Sequence, residues 1–400
     1  MEKIKKLKFF EGMSINILLL GLVSLFTDLS SQMVFPLLPL FLTTALGAQA
    51  YIVGLVEGAA ETTASLLRIV SGYLSDKTKK RKPFIFLGYS LSTITKPLFA
   101  FANVWFFVLF VRVIERIGKG IRTVPRDALV AESSDESVRG KAFGMQRAMD
   151  GIGSMLGAIM AFLLLPVLGF RNTFLFAFLP GVLAVIAILF VKEKQAPVTI
   201  TDTKITIKLS LKELSQNLKL FILSASLFSL GHFGYAFLLL RALDIGLADE
   251  TAIFLYMLFY LAHSLFSVPA GILSDKIGRK AVLSVGYILF VALSIGLYFA
   301  RDIYSLLVCF LAYGVFFAMI DGVQRAFVVD LSPVHLKATA LGAFHAATGL
   351  VALPAAFVIG LIWERFSPEV AFLYGAIFAL AAFIALLFVK DKQRIRENKS

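Results

Sequence analysis

Charged side chains stand in this chain where apolar neighbours give them no cheap place. Asp28 lies midway along the first long apolar stretch, and Glu57, Glu61 and Arg68 interrupt the second at a helical spacing that takes in Ser65. Arg112, Glu115, Lys119, Arg122 and Arg126 recur every three or four residues, so on a helix they form one stripe, with Arg116 beside it. Lys96, Arg147 with Asp150, and Asp321 with Arg325 complete the set. A charge in hydrocarbon costs roughly 2.5–3.5 kcal/mol on insertion scales. A chain that repeats the cost must supply a shared polar environment, either a cavity or a bundle interior.

The chemistry open to these groups is ion binding and proton transfer. Glu57 and Glu61 are like charges one turn apart, and Asp28 has no cation near it in sequence. A carboxyl held so in a low dielectric can take and release a proton. The basic stripe suits an anionic or zwitterionic ligand. Arg147 with Asp150 and Asp321 with Arg325 have the spacing of local structural pairs. His232, His263, His335 and His345 form no metal motif; His232 and His345 are expected as packed polar side chains. Cys309 is the one cysteine and reads as a small packing residue. With no nucleophile–base set and no phosphate-binding loop, neither an enzyme nor an ATP-driven pump is expected, and no cofactor or metal. No loop is long enough for a receptor's recognition domain.

The elements that position these residues are membrane spans. The chain has 400 residues, 58% hydrophobic and 16% charged, with a mean hydropathy of +0.85. One soluble core cannot hide that much apolar surface. The net charge of +13 sits in short basic runs between apolar segments, which is a topology signal rather than a nucleic-acid footprint. At roughly 20 residues per span, about twelve helices are predicted, near 14–42, 51–74, 84–102, 104–126, 140–165, 172–191, 215–242, 250–273, 281–300, 304–330, 337–361 and 369–389. Lys3, Lys5, Lys6 and Lys8 precede a first span that is too long for a signal peptide and is read as retained. Both tails and alternate loops are basic, which puts both termini in the cytoplasm. Trp105 and Trp363 fall at predicted outer ends, and Pro36 and Pro39 are expected to kink or end the first span.

The chain also repeats itself. Gly72-Tyr73-Leu74-Ser75-Asp76-Lys77 returns as Gly271-Ile272-Leu273-Ser274-Asp275-Lys276, each followed by a basic run. Arg126 and Arg325 are spaced like the two signature copies, and one residue out of that register Glu132 answers Asp330, Arg139 answers Lys337, Gly144 answers Gly342 and Gly151 answers Gly349. A duplicated six-helix unit explains this, with domains at 1–191 and 215–400 and a linker at 192–214.

On these residues the chain resembles the major facilitator superfamily over nearly its whole length. The family's loop signature, Gly-x-Leu-Ala-Asp-Arg-x-Gly-Arg-Arg, is matched by Gly271, Leu273, Asp275, Lys276, Gly278, Arg279 and Lys280; in the first copy Lys79 replaces the second glycine. The resemblance implies that Asp76 pairs with Lys80 or Arg81 and approaches Glu132. Asp275, Arg279 and Asp330 would do the same in the second half. These groups would latch helix ends on the cytoplasmic side, with Gly72 and Gly271 allowing close helix approach. Span four is similar to the family's Arg-x-x-Gln-Gly-x-Gly, with Glu115 in place of glutamine and Arg116 in place of glycine. Span five half-matches the signature of proton-coupled drug antiporters: Gly144, Gly153 and Gly157 fit, while Ala158 replaces the proline and Ala161-Phe162 the final glycine pair.

What the resemblance implies is an all-α membrane protein, two six-helix bundles around a central cavity that expose a small-molecule substrate alternately. Proton-coupled efflux is the leading expectation, and proton-coupled uptake of an anionic or zwitterionic nutrient is the alternative. The expected setting is the cell's plasma or inner membrane, as a monomer. The orientation is testable with single cysteines. Ser14→Cys and Ser400→Cys, in a chain with Cys309 replaced, should both resist a membrane-impermeant thiol reagent added to intact cells; labelling of either overturns the topology.

Overall fold

The computed structural model describes residues 14–134, 138–193, 214–333 and 336–390, and its regular structure is helical. Helices follow from the solvent: lipid offers no partner to a backbone N–H or C=O, so each span must close its own hydrogen bonds. In chain order they are α1 (Ile15–Gln32), α2 (Ala50–Thr78), α3 (Lys82–Leu98), α4 (Trp105–Glu132), α5 (Arg139–Phe176), α6 (Phe178–Leu189), α7 (Gln216–Gly231), α8 (Tyr235–Asp244), α9 (Asp249–Ile277), α10 (Arg279–Phe299), α11 (Ile303–Asp330), α12 (Lys337–Arg365) and α13 (Pro368–Leu387). The basic N-terminal tail, most of the linker at 192–214, His335 and the C-terminal tail lie outside the described residues.

Among the described residues, nine segments are long and apolar enough to cross a membrane. One of them, Gly140–Leu189, runs for 50 residues and holds two spans. The break between these two is Gly169, whose φ of 67° lies in the left-handed region that a glycine enters without steric cost. Neither α2 nor α4 is among the nine. They carry the charged stripes, and with them the count reaches the twelve spans of an all-α membrane protein in two pseudo-symmetric six-helix bundles. The first span breaks as its prolines require. After α1 the chain makes turns through Pro36, then a helical turn at Leu37–Leu40 and a π-turn at Phe41–Ala45. A second break was not legible: span seven stops at Gly231 and resumes at Tyr235, with His232 in the gap.

Contacts divide the chain into one compact unit of Met1–Leu38 with Thr63–Asp202 and another of Pro39–Thr62 with Thr203–Ser400. The same packing recurs in each. In the first, α1 packs on α5 and α6, and α3 packs on α4 and α6. In the second, α7 packs on α12 and α13, and α10 packs on α11 and α13. The N-terminal part of α2 goes with the second unit, where a division at residue 191 keeps the whole second span in the first. Its glycines are the reason. A methyl group on Gly54 would collide with the carbonyl of Ala356, and one on Gly58 with the backbone of Leu353, so α2 and α12 touch backbone to backbone.

Small residues do the same work between α1 and α5. A Cβ on Gly153 would strike the carbonyl of Leu25, and one on Gly157 that of Leu29, whereas at Gly144 it would meet nothing within 4 Å. The Gly153-x-x-x-Gly157 pattern is therefore a packing joint. Cys309 is buried, its Sγ packed beside Gly296, the role its apolar setting suggests. Two substitutions of one kind on α5 should then act with opposite signs. Gly153→Ala should cost about 1–3 kcal/mol by forcing helices apart. Gly144→Ala should gain up to about 1 kcal/mol by restricting the unfolded chain. Thermal unfolding in detergent separates them; shifts of the same sign would contradict this packing.

Candidate functional site

The buried charge of the first unit gathers along α4. Arg112 and Glu115 are fully buried and Arg116 nearly so. Glu115 Oε2 lies 3.3 Å from Arg112 Nη1 and 3.4 Å from Arg116 Nε, so one carboxylate oxygen answers two guanidinium groups. Both guanidiniums also lie over the ring of Phe35, at 3.9 and 4.8 Å from its centroid. Desolvated cation–π contacts of this kind are worth about 2 kcal/mol each, and they let an arginine stay charged where water is excluded. Lys96, fully buried on α3, donates to the carbonyl of Ser92 at 3.3 Å, and Glu115, Arg122, Asp28 and Arg112 are its electrostatic neighbours. The stripe expected from spacing is real, and Arg116 belongs within it rather than beside it.

One to three turns further along α4, a second polar layer forms. Arg122 donates to the hydroxyl of Ser92 and covers the ring of Tyr89 at 4.4 Å. Arg126 pairs with Asp127 at 2.9 Å and donates to Ser24 on α1 at 3.2 Å. Gln146 of α5 also donates to Ser24. Asp150 lies 3.6 Å from Arg147 and 3.7 Å from Arg126. Asp150 is thus more than the local pair that its spacing suggests: it ties α5 to α4. Asp28 has cations near it in space although none in sequence. Its electrostatic neighbours are Asp150, Lys119, Arg122 and Arg126, while it forms no hydrogen bond or ion pair among the described residues. Ser24, Ser92 and Gln146 were missed by the sequence reading, because single small polar residues in an apolar helix carry no charge signal.

The other intramembrane candidates are divided between the two units. Glu57 and Glu61 sit on the N-terminal part of α2, within the second unit, while Arg68 on the same helix belongs to the first. Glu61 is an electrostatic neighbour of His232, which sits in the break of span seven. The His232 ring is 3.1 Å by Nε2 from the hydroxyl of Tyr313 and packs beside Phe228, Phe290 and Phe316. Asp321 and Arg325 form an exposed pair at 2.7 Å, one helical turn apart, as their spacing predicts. A buried cation at the opposite end of the second unit was also missed. Arg241 pairs with Asp244, with Glu369 at 2.9 Å and with the carbonyl of Ala300. It falls at a predicted span end, where a cation raises no alarm.

The duplicated loops close in the same way twice. Arg81 reaches Asp76 at 2.6 Å, Glu132 at 3.2 Å and the Ser75 hydroxyl at 2.8 Å. Arg279 reaches Asp275 at 2.5 Å and Asp330 at 3.3 Å, and donates to Ser274. The partner of Asp76 is therefore Arg81 and not Lys80. Partial burial alone would push the Arg81 guanidinium down, but the hydrogen bonds and charges of Asp76 and Glu132 outweigh it and hold it above its ordinary range. The glycines differ between copies. A Cβ on Gly72 would crowd Val124 of α4 at 3.1 Å, but on Gly271 it would meet nothing within 4 Å, so the close approach expected at both is found only at the first. The turn survives the exchange of glycine for lysine. Gly278 has φ 96° and Lys79 φ 51°, and Lys79 is the one non-glycine residue with positive φ among those described. Holding a lysine there costs about 1–2 kcal/mol, so the left-handed turn itself is required.

Repeated helical bundles with charge buried between their spans define a membrane transporter. The chain belongs to the Major Facilitator Superfamily, whose sequence pattern matches residues 20–248 and 220–400. It is 41% identical over 385 residues to the MFS-type transporter MJ1317 of Methanocaldococcus jannaschii, covering 94% of this chain and 95% of that one. It is 28% identical over 303 residues to the cis,cis-muconate transport protein of Acinetobacter baylyi, covering 70% of this chain and 72% of that one. Among solved structures, the nucleoside transporter NupG shares the fold at a TM-score of 0.77, with 15% identity over 94% of this chain and 99% of that one.

The paired latches make a measurable claim. Asp275→Asn removes one arm of the Arg279 pair at a half-exposed helix end, worth about 0.2–1 kcal/mol. Abundance in the membrane should match wild type while the rate of solute exchange changes by about 1.4- to fivefold, the same energy expressed as a rate. Unchanged exchange at unchanged abundance would leave this signature a topological role alone.

Proposed function

We propose that the protein is a proton-coupled secondary transporter that carries a small organic anion by alternating access, in the uptake direction. The observation that carries this reading is the charge imbalance inside the first unit. Glu115 is one buried carboxylate among four buried cations, Arg112, Arg116, Arg122 and Lys96. A site with that balance favours a ligand that brings negative charge, since removing cations from water is offset only by nearby anions. The planar fork of arginine suits a carboxylate in particular. The kinship with a muconate transporter over 70% of this chain points the same way.

Efflux of a drug-like molecule is the second reading. It draws on Glu61, an electrostatic neighbour of His232, and on the aromatic rings around that histidine, a setting suited to a cation, and on 33% identity over 144 residues to the multi-drug resistance efflux pump PmrA of Streptococcus pneumoniae. That likeness covers 35% of this chain. The span-five glycines that favoured efflux have a packing cause at Gly153 and Gly157.

In the proposed cycle the Arg81 and Arg279 pairs, with Asp76, Glu132, Asp275 and Asp330, hold the cytoplasmic helix ends together in one state and part in the other. Both termini lie in the cytoplasm of a cell-membrane monomer, and 192–214 links two bundles that rock against each other. Asp28 exchanges the coupling proton with solution, because it lies among Lys119, Arg122, Arg126 and Asp150 without a hydrogen bond among the described residues.

Proteoliposomes loaded with and bathed in cis,cis-muconate test this reading. An inward proton gradient should drive accumulation of labelled muconate in wild type, and an outward one should not. Asp28→Asn mimics the permanently protonated carboxyl. It should keep gradient-free exchange within about twofold and lose accumulation at least about tenfold, because binding and coupling are linked through the proton alone. Driven accumulation at the wild-type level would remove Asp28 from the coupling route.

A further inference from the structure

The cluster on α4 holds a carboxylate in a way that resembles occupancy more than architecture. Glu115 Oε2 makes both ion contacts, at 3.3 and 3.4 Å, which are long for charge-assisted bonds. Glu115 Oε1 is buried and makes no hydrogen bond, and neither do Nε and Nη1 of Arg116. A buried ion pair built for stability satisfies its remaining donors and acceptors, because each one left over costs about 1–3 kcal/mol. Here the misfit falls on both partners. The same position departs from the family pattern, which has glutamine and glycine where this chain has Glu115 and Arg116.

We infer that Glu115 is an internal stand-in for the substrate: its carboxylate occupies the Arg112–Arg116 fork when the site is empty and is displaced by the carboxylate of the transported anion. This rests on the anion-transport reading above and assigns its recognition site. The displaced Glu115 takes up one proton from the side open to solution, since a second carboxylate in that space would repel the first. On the other side the anion leaves, the proton leaves Glu115, and the carboxylate returns to the fork. One proton and one carboxylate move together, and the charge on the cluster is the same before and after.

The surroundings of Glu115 fit this exchange. Arg112, Arg116 and Arg122 face it from α4 and Lys96 from α3, and the Ser92 hydroxyl donates to its own carbonyl at 3.2 Å. Lys96 has Asp28 of α1 as a further neighbour, so the proposed proton entry and the stand-in carboxylate act on one ammonium group. Phe35 holds the guanidiniums from the other side and keeps the fork in place while the carboxylate changes.

The experiment measures muconate binding to the purified protein as a function of pH, with exchange in proteoliposomes as its control. Wild-type affinity should fall about tenfold per unit rise in pH once Glu115 competes as a carboxylate, by the reciprocity of proton and ligand binding. Glu115→Gln should bind muconate with an affinity flat with pH to within about twofold over the same range. Arg116→Gln should weaken binding at least about tenfold at every pH. Should Glu115→Gln fail to fold, wild type alone still decides. Its infrared difference spectrum on adding muconate should gain the C=O band of a newly protonated carboxyl, and carbon-13 at the substrate carboxyls separates the substrate's own band. A Glu115→Gln variant that keeps the wild-type pH slope, or muconate binding without that band, overturns the stand-in and leaves anion transport standing. Absence of exchange of muconate and of a panel of other carboxylates by wild type overturns the anion reading itself.

Discussion

An ionised side chain that loses water must be answered by something close at hand, and in this protein α4 collects the answers. Arg112, Glu115, Arg116 and Arg122 all lie buried on one helix face. Replacing a buried pair by apolar residues is often neutral or favourable, whereas removing one partner costs about 3–5 kcal/mol. Charge of this density is therefore a poor way to stabilise a fold. It is a good way to make a site whose state depends on which anion is present. The rings of Phe35 and Tyr89, the hydroxyls of Ser24 and Ser92 and the ammonium of Lys96 are arranged around that requirement.

Much of the framework was legible because lipid is an unforgiving solvent. Apolar length gave the spans, and the duplicated Gly-x-Leu-Ser-Asp segments gave the two halves. The spacing of Arg112 through Arg126 gave the stripe. The latch pairs were legible in part, since Asp76 and Asp275 had candidate cations a few residues on, but the choice of Arg81 over Lys80 depends on how a turn directs side chains. Sequence spacing describes neighbours on one helix. It says nothing of Asp28 lying in the field of Lys119, Arg122 and Arg126 or of Asp150 bridging α5 to α4, because those arrangements arise when separate helices pack. The break at His232 was hidden for a related reason. No proline marks it, and the segment from Phe233 to Leu240 is as apolar as any continuous span.

The turn at Lys79 shows how strongly one geometry is held. Gly278 takes a left-handed conformation freely, and Lys79 takes it against a steric cost. What both copies keep is the result: an arginine placed over the aspartate of its own loop and the acid at the end of the second following helix. The two copies differ in sequence where backbone conformation alone is at stake and agree where three charged groups must meet.

The interiors of the two halves have parted company in a way that the latches have not. With Arg126 set against Arg325, the residues Arg112, Glu115 and Arg116 fall opposite Leu311, Gly314 and Val315. Gly314 is a packing joint, since a Cβ there would strike the carbonyl of Phe259 on α9. One helix position therefore serves close approach in the second half and holds a buried, ion-paired carboxylate in the first. The second half fills its interior with rings instead: Phe228, Phe290, Phe316 and Tyr313 surround His232. Duplication supplied two like frames with matching arginine–carboxylate pairs at their loops. The asymmetry lies inside them: buried charge along α4 in the first, and aromatic rings around His232 in the second.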